Sequence, residues 1–344
     1  MKAAFIEAHG GPEALKIVER PNPTARPGEV VVDVRAAALN HLDVWVRKGV
    51  PGHKFPLPLV PGCDGAGVVS AVGAGVDHLV PGQRVLLAPG IGCGACARCA
   101  EGRDHLCRSY GILGETRDGT CAEKVAVPAR LAIPIPDALS FEKAAAFPLA
   151  YLTAWGMVVD RCAVKPGDDV VVWAAGSGVS VACIQILKMI GARVIAVAST
   201  PEKVARARAL GADAALCGTT QDVNAEVRAL TAKAGVDVVV DHVGEATFGT
   251  SLRLLKKGGA VVTCGATTGP KLEADLRLVF FKSLSILGST MGSLGALHRL
   301  TGLVGRGVID PVIDRVLPLE KTAEGHAALE ARATFGKVVI IPGA

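Results

Sequence analysis

The sequence predicts an α/β chain of two domains: an antiparallel, barrel-like β domain, then a doubly wound parallel sheet with helices on both faces. Three observations predict it. Short apolar runs broken by Pro-Gly pairs fill the first part of the chain. A strand, a small-residue turn, a helix and a second strand succeed one another between Asp169 and Ala198. The same α/β alternation then continues to Gly288.

Length and composition set the bounds. The 344 residues suffice for two cores. With 50% apolar and 20% charged residues, the chain has no segment to set aside as disordered. The stretch from Met1 to Glu7 has no basic region followed by an apolar core, and no uncharged apolar run reaches the length of a membrane span. The expectation is a cytoplasmic protein without membrane association. A net charge of +5, interspersed, mildly favours anionic ligands, and no basic run suggests nucleic acid. Of the ten cysteines, four are crowded between Cys93 and Cys107. A reducing compartment with one metal cluster fits that pattern better than disulfides.

In chain order, Pro27-Gly28 precedes a strand from Glu29 to Ala37, Pro61-Gly62 one from Gly65 to Val72, and Pro81-Gly82 one from Arg84 to Leu87. Gly65-Ala66-Gly67-Val68-Val69-Ser70 imitates half of a dinucleotide turn but has no helix after it, so it reads as a β bend. Helix is expected between Glu142 and Val159, with the domain boundary near Ala150. Val170 to Trp173 is a strand, and the turn Ala174 to Ser180 leads into a helix with Val179, Cys183, Ile186, Leu187 and Ile190 on its apolar face. Gly191 stops it, and Arg193 to Ala198 is the next strand. Thr200-Pro201-Glu202 opens a second helix that ends at Gly211. A strand at Val236 to Val240, a helix at Phe248 to Leu255, a turn at Gly258-Gly259 and strands at Ala260 to Cys264 and Ser283 to Gly288 follow. Pro311 to Ala344 returns to short strands around one helix and is expected to complete the first domain.

The unit around the turn is built to bind a dinucleotide, with the pyrophosphate on backbone N–H groups of Gly176, Ser177, Gly178, Val179 and Ser180 at the helix N-terminus. The three consensus glycine places hold Ala175, Ser177 and Ser180, with Gly176 and Gly178 between them. Where an NAD site places an acid, this chain has Ala198, followed by Ser199, Thr200 and Lys203. NADPH is therefore favoured over NADH; in the alternative, Thr200 caps its helix, Lys203 is solvated and either cofactor is accepted. Val243 and Gly265, at strand ends on the cofactor side, are placed near the nicotinamide ribose. Cys93, Cys96, Cys99 and Cys107, spaced C-x2-C-x2-C-x7-C among glycines, suit a structural Zn²⁺ with four thiolates and no open position; the plain alternative is four reduced thiols.

On the lobe Gly-Cys-Gly-Ala-Cys-Ala-Arg-Cys-Ala-Glu-Gly and the Pro-Gly-Asp-Asp-Val-Val-Val before the turn, the whole chain resembles the medium-chain dehydrogenase/reductase superfamily. The resemblance implies a GroES-like catalytic domain over residues 1–150 with the zinc lobe at 93–107. It further implies a Rossmann domain over 151–290, a C-terminal return over 291–344, a cleft between the domains, and a homodimer or homotetramer. Ser283 to Ser289 either joins sheets across a dimer, as the family's equivalent strand does, or is monomer core. In the zinc alcohol dehydrogenases of this superfamily a second, catalytic zinc takes a Cys, a His beside a Glu, and a further Cys. Those places hold Asn40, Cys63, Asp64 and Leu149, so a catalytic zinc is not expected.

Asn40-His41-Leu42-Asp43, with Arg47 and Gly49, resembles instead the quinone oxidoreductase and enoyl reductase members, most of which lack the cysteine lobe. The implied activity is NAD(P)H-dependent reduction of a small-molecule enone, enal, quinone or other carbonyl substrate. Asn40 either donates from its amide to the developing oxyanion or turns the chain. His41 or Tyr151 either supplies a proton or is a loop and a core residue. Cys63 and Asp64 face the cleft, with Cys63 either a reactive thiol or a small buried residue, and Asp43 completes the Asn-x-x-Asp pattern. Lys337, on the family's terminal strand, reaches the cofactor or is an exposed charge. Two other readings stand beside this one: an alcohol or aldehyde oxidoreductase with an altered metal site at Cys63 and Asp64, and an NADPH-binding protein without turnover.

Overall fold

In the computed structural model, which describes residues 1–343, the chain divides into two compact units, Met1–Leu152 with residues 293–343, and Thr153–Gly292. Ala344, the end of the expected C-terminal return, lies outside the described residues.

The first unit is built on a seven-stranded sheet. Along it run Ile313–Pro318, Lys337–Ile341, Glu29–Leu39, Asp64–Val72, Arg84–Leu87 and Ala132–Pro134, and Lys124–Pro128 also pairs with Glu29–Leu39. The long strand Glu29–Leu39 can serve three neighbours because its inward residues Val30, Val32, Val34, Ala37 and Leu39 are all buried in the core. The Gly65–Ser70 bend is a continuous strand whose pairing shifts twice. Gly67 is required there, since a Cβ would lie 2.0 Å from the Asp33 carbonyl oxygen. The C-terminal strand Lys337–Ile341 enters this sheet antiparallel to Glu29–Leu39, with Val338 opposite Leu39.

The second unit holds a six-stranded parallel sheet in the order Ala214–Cys217, Arg193–Ala198, Asp169–Val172, Val236–Val240, Leu255–Thr263, Ser285–Gly288. This is the doubly wound order, which reverses beside Asp169–Val172. The helix Gly178–Ile190 ends on Gly191 in the left-handed region (φ +93°) and buries Cys183, Ile186 and Leu187.

Two expectations are corrected. The single helix expected from Glu142 to Val159 is two, Phe141–Ala145 and Pro148–Trp155, because Pro148 has no N–H to carry a helix through and instead opens the second. A π turn, Gly156–Arg161, follows. Gly258-Gly259 is a bulge inside the strand Leu255–Thr263, whose pairing slips between Val236 and Val238. Gly258 takes up the slip with φ +78°.

In the first unit His326 is fully buried on the helix Thr322–Glu330, and neither ring nitrogen has a hydrogen-bond partner among the described residues. Burial, then the Arg47 guanidinium, drives its pKa down to about 3. A base with a depressed folded pKa loses stability as pH falls below its unfolded value of about 6.5, since the unfolded chain takes up the proton first. Between pH 8 and pH 5 this residue should cost about 2 kcal/mol. Thermal melts of His326→Leu should therefore show a smaller fall in Tm from pH 8 to pH 5 than the wild type; an equal fall refutes the assignment.

Candidate active site

Strand register assembles a buried polar cluster in the first unit. Leu39 lies opposite Val338 and Ala38 opposite Asp64, so Asn40, Asp64 and Lys337 meet at one edge of the sheet. The helix His41–Lys48 starts there with Asn40 as its cap. The Asn40 backbone N–H donates to Asp43 Oδ2 (2.7 Å). Asp43 Oδ1 accepts from the Gly62 N–H (3.0 Å) and the Cys63 thiol (3.3 Å). Burial pushes the Asp43 carboxyl up to about 6, although the bonds from Asn40 and Cys63 pull the other way.

Asp64 is fully buried and accepts three hydrogen bonds. Its Oδ1 takes the Leu149 N–H (2.8 Å), and its Oδ2 takes Asn40 Nδ2 (2.9 Å) and Lys337 Nζ (2.9 Å). Lys337 Nζ also donates to Asn40 Oδ1 (2.5 Å). The ammonium is thus neither exposed nor free: at 3% exposure it is inserted between an amide and a carboxylate, which corrects the exposed-charge reading. Asn40 is corrected as well. Its amide N–H groups face Asp64 Oδ2 and, more weakly, the Ala38 carbonyl (3.4 Å), so it holds the cluster and has no free donor for a substrate.

The other candidates resolve by burial. Cys63 has no exposure, and burial followed by the Asp43 and Asp64 charges keeps its thiol protonated, well above the usual range. It is a small buried residue and not a reactive thiolate. His41 lies beside Trp45, and burial, then Arg332 and Lys337, lower its pKa and hold the ring neutral. Tyr151 is buried with its ring edge-on to Phe147, the core alternative of the two.

In the second unit the turn is held by serines. Ser177 caps the helix, its Oγ accepting the Ser180 N–H (3.1 Å). Ser180 Oγ–H donates to the Trp173 carbonyl (2.6 Å), so its 2.8 Å contact with His242 Nε2 needs the proton on the ring nitrogen. Ser177 Oγ lies 3.1 Å from the same Nε2. The left-handed residue of the turn is Ala174 (φ +53°), a place the sequence did not mark.

Beneath the turn the buried Asp241 accepts from the Val243 and Gly244 N–H groups and from the Thr247 and Ser251 hydroxyls, and Ser251 in turn accepts from the Trp173 indole (2.9 Å). This network, also unforeseen, fixes Val243 next to the strand end. Gly265 is held by Thr263, whose hydroxyl donates to the Gly265 carbonyl (2.8 Å). Ser199 and Thr200 are exposed at the end of Arg193–Ala198, and Thr200 caps the next helix through the Lys203 N–H (3.3 Å). Gly176 is buried, while Gly178 and Val179 are half-buried at the helix start.

In the lobe the four thiol sulfurs lie within 4.8 Å of one another, the one such metal-ligand cluster among the described residues. The sulfur–sulfur separations are 3.9 Å for Cys93–Cys99, 3.6 Å for Cys96–Cys99 and 3.7 Å for Cys96–Cys107. Four sulfurs at a Zn–S distance of about 2.3 Å, arranged tetrahedrally, stand about 3.8 Å apart. The cluster fits the ion. Backbone N–H groups of Cys93, Gly94 and Cys96 also point at its sulfurs (3.3–3.4 Å), as thiolate ligation requires.

Comparison with known proteins agrees with this architecture. Residues 26–137 match the family model of the alcohol dehydrogenase GroES-like domain, and residues 178–305 that of the zinc-binding dehydrogenases. The chain is 52% identical to a crystallographically solved NAD-dependent alcohol dehydrogenase, with all of both chains covered and a TM-score of 0.96. It is 32% identical to a zinc-type alcohol dehydrogenase-like protein of Schizosaccharomyces pombe, covering 96% of this chain and 94% of that one. It is 28% identical to a 2-octenoyl-CoA carboxylase reductase solved with NADP and 2-octenoyl-CoA, at a TM-score of 0.90, covering 100% of this chain and 88% of that one.

Proposed function

The chain belongs to the medium-chain dehydrogenase/reductase superfamily, an oxidoreductase family, and on that premise we propose that it reduces an activated C=C bond or a quinone with NADPH and without a catalytic zinc. The observation that carries this is the state of Asp64. Its carboxylate is taken up by Lys337, Asn40 and the Leu149 N–H. Its neighbour Cys63 has its thiol turned to Asp43, and Asn40 and Leu149 offer no ligand of metal-holding strength. A resident ammonium occupies the place where such a metal would need negative charge.

Cofactor binding is assigned to the second unit, at the helix start from Gly176 to Ser180. The exposed Ser199 and Thr200 hydroxyls, with Lys203 and no carboxylate, suit a ribose 2′-phosphate. Bound nicotinamide supplies the hydride and its electron pair. The residues of the chain bind, orient and meet the charge that develops on the acceptor oxygen. The relative solved with NADP and an enoyl-CoA supports this reading. In the lobe, Cys93, Cys96, Cys99 and Cys107 hold a structural zinc. Alcohol oxidation is the second reading, favoured by the 52% identity to an NAD-dependent alcohol dehydrogenase.

The edge strand Ser285–Gly288 has one neighbour in its sheet, and its Ile286 is exposed, as are Phe280 and Phe281 at the end of the preceding helix. We assign this face to a homodimer contact.

Three outcomes test these assignments. Metal analysis should give one zinc per subunit, with NADPH oxidised by an enone or a quinone. Two zincs, with alcohol oxidation lost on removal of one, would establish the second reading. Ser199→Asp should lower kcat/KM for NADPH at least tenfold and leave NADH turnover equal or higher; an unchanged preference rejects the 2′-phosphate site. Light scattering should find Phe280→Glu/Phe281→Glu shifted to a smaller species than the wild type, and an unshifted mass removes this face from the assembly.

A further inference from the structure

We propose that His242 is a positioning residue of the cofactor turn: its Nε2–H, shared by the Ser180 and Ser177 hydroxyls, fixes the helix N-terminus on which a dinucleotide's pyrophosphate rests. The inference rests on the cofactor site assigned above to the second unit and deepens it. It names a residue 62 positions beyond Ser180 that the turn needs in order to hold NADPH.

The direction of every hydrogen bond in this network follows from one group. Ser180 is fully buried, and its Oγ has three polar neighbours: the Trp173 carbonyl (2.6 Å), His242 Nε2 (2.8 Å) and Ser177 Oγ (3.1 Å). A carbonyl only accepts, so the single Ser180 hydroxyl proton goes to Trp173. Both other neighbours must then donate to Ser180, which fills its two lone pairs. The Ser177 proton is thereby spent on Ser180, while Ser177 Oγ accepts the Ser180 N–H (3.1 Å) and lies 3.1 Å from the same ring nitrogen. The proton on His242 Nε2 closes the network. Without it a buried hydroxyl keeps an unfilled lone pair, and the turn must shift to satisfy it.

The backbone is anchored so as to keep the ring there. The His242 carbonyl accepts from both the N–H and the hydroxyl of Thr267 (3.3 Å each), and the neighbouring Asp241 carboxylate receives the Val243 and Gly244 N–H groups. In the turn itself, the Ser177 N–H is taken by the Ala174 carbonyl (2.8 Å) and the Ser180 N–H by Ser177 Oγ. The groups that remain for an anion are the N–H of Gly178 and Val179, which open the helix a turn short of any intrahelical acceptor. Their aim depends on where the two serines stand, since Ser177 caps the helix and Ser180 seats it on Trp173. A glycine at position 180 would have no hydroxyl to satisfy and would need no partner. The serine needs one, and His242 supplies it, so the ring takes over what the consensus glycine achieves by having no side chain.

The test is a double-mutant cycle on the full-length protein, read by NADPH Kd from titration calorimetry and by Tm. His242→Leu should raise the Kd about tenfold or more, the effect of leaving one buried polar group unsatisfied at the turn. Ser180→Gly restores the consensus residue, and His242→Leu added to it should change the Kd of that protein by less than about threefold. A folded His242→Leu whose Kd rises by less than tenfold overturns the assignment, since a purely structural role lowers Tm and leaves the Kd in place. An effect of threefold or more beside Ser180→Gly also overturns it, because His242 then acts on the cofactor without the serines. Where His242→Leu does not fold, His242→Asn, whose amide is too short to reach either hydroxyl, is held to the same criteria. Wild type that binds neither NADPH nor NADH defeats the cofactor site and this assignment together; wild-type binding matched by the variant defeats this assignment alone.

Discussion

The ion pair between Lys337 and Asp64 is the constraint on which the first unit depends. Its partners are 273 residues apart in sequence, and both are buried. Neither charge is tolerable there without the other, because removing one partner of a buried pair leaves an uncompensated charge costing about 3–5 kcal/mol. The C-terminal strand must therefore enter the sheet in one register. A slip of one residue would turn Lys337 to the opposite face and remove Val338 and Ile340 from the core. The return of the chain after Ser293 is thus coupled to the assembly of the site.

The same coupling explains what the sequence could and could not reveal. Local signals were legible. Thr200-Pro201 marks a capped helix start, Gly191 a left-handed stop, and the four cysteines a ligand set within fifteen residues or so, a span over which spacing dictates geometry. The doubly wound sheet follows from repeated strand and helix periods. What was not legible depends on register between distant strands: Lys337 against Asp64 and Asn40 has no local signature, and Gly336-Lys337-Val338 reads equally well with its lysine in water. Gly258-Gly259 misled for a related reason, since a pair of glycines fits a turn or a bulge and only the neighbouring strand Val236–Val240 decides between them.

The eroded glycine fingerprint is explained at the same level. Serine at a place where glycine permits close packing must bury a hydroxyl, and a buried hydroxyl without a partner is costly. Ser180 meets this by donating to the Trp173 carbonyl and accepting from His242, while Ser177 caps the helix. Trp173 is held from its other end by Ser251 and Asp241. The two serines therefore belong to one network, and the loss of the three consensus glycines is not a loss of the turn.

The cysteine set of the lobe and the buried lysine of the cluster follow from opposite solvent environments. From Cys93 to Cys107 the one buried ligand is Cys107, so the lobe has almost no core of its own and gains its order from cross-linking. A largely exposed ligand set takes up zinc without a large desolvation cost. At Asp64 the balance reverses. The Asp64 carboxylate is already taken up by Lys337, Asn40 and the Leu149 N–H, and Asn40 and Leu149 give a divalent ion no strong ligand. A single ammonium needs one carboxylate as its direct partner, and Asp64 is that partner.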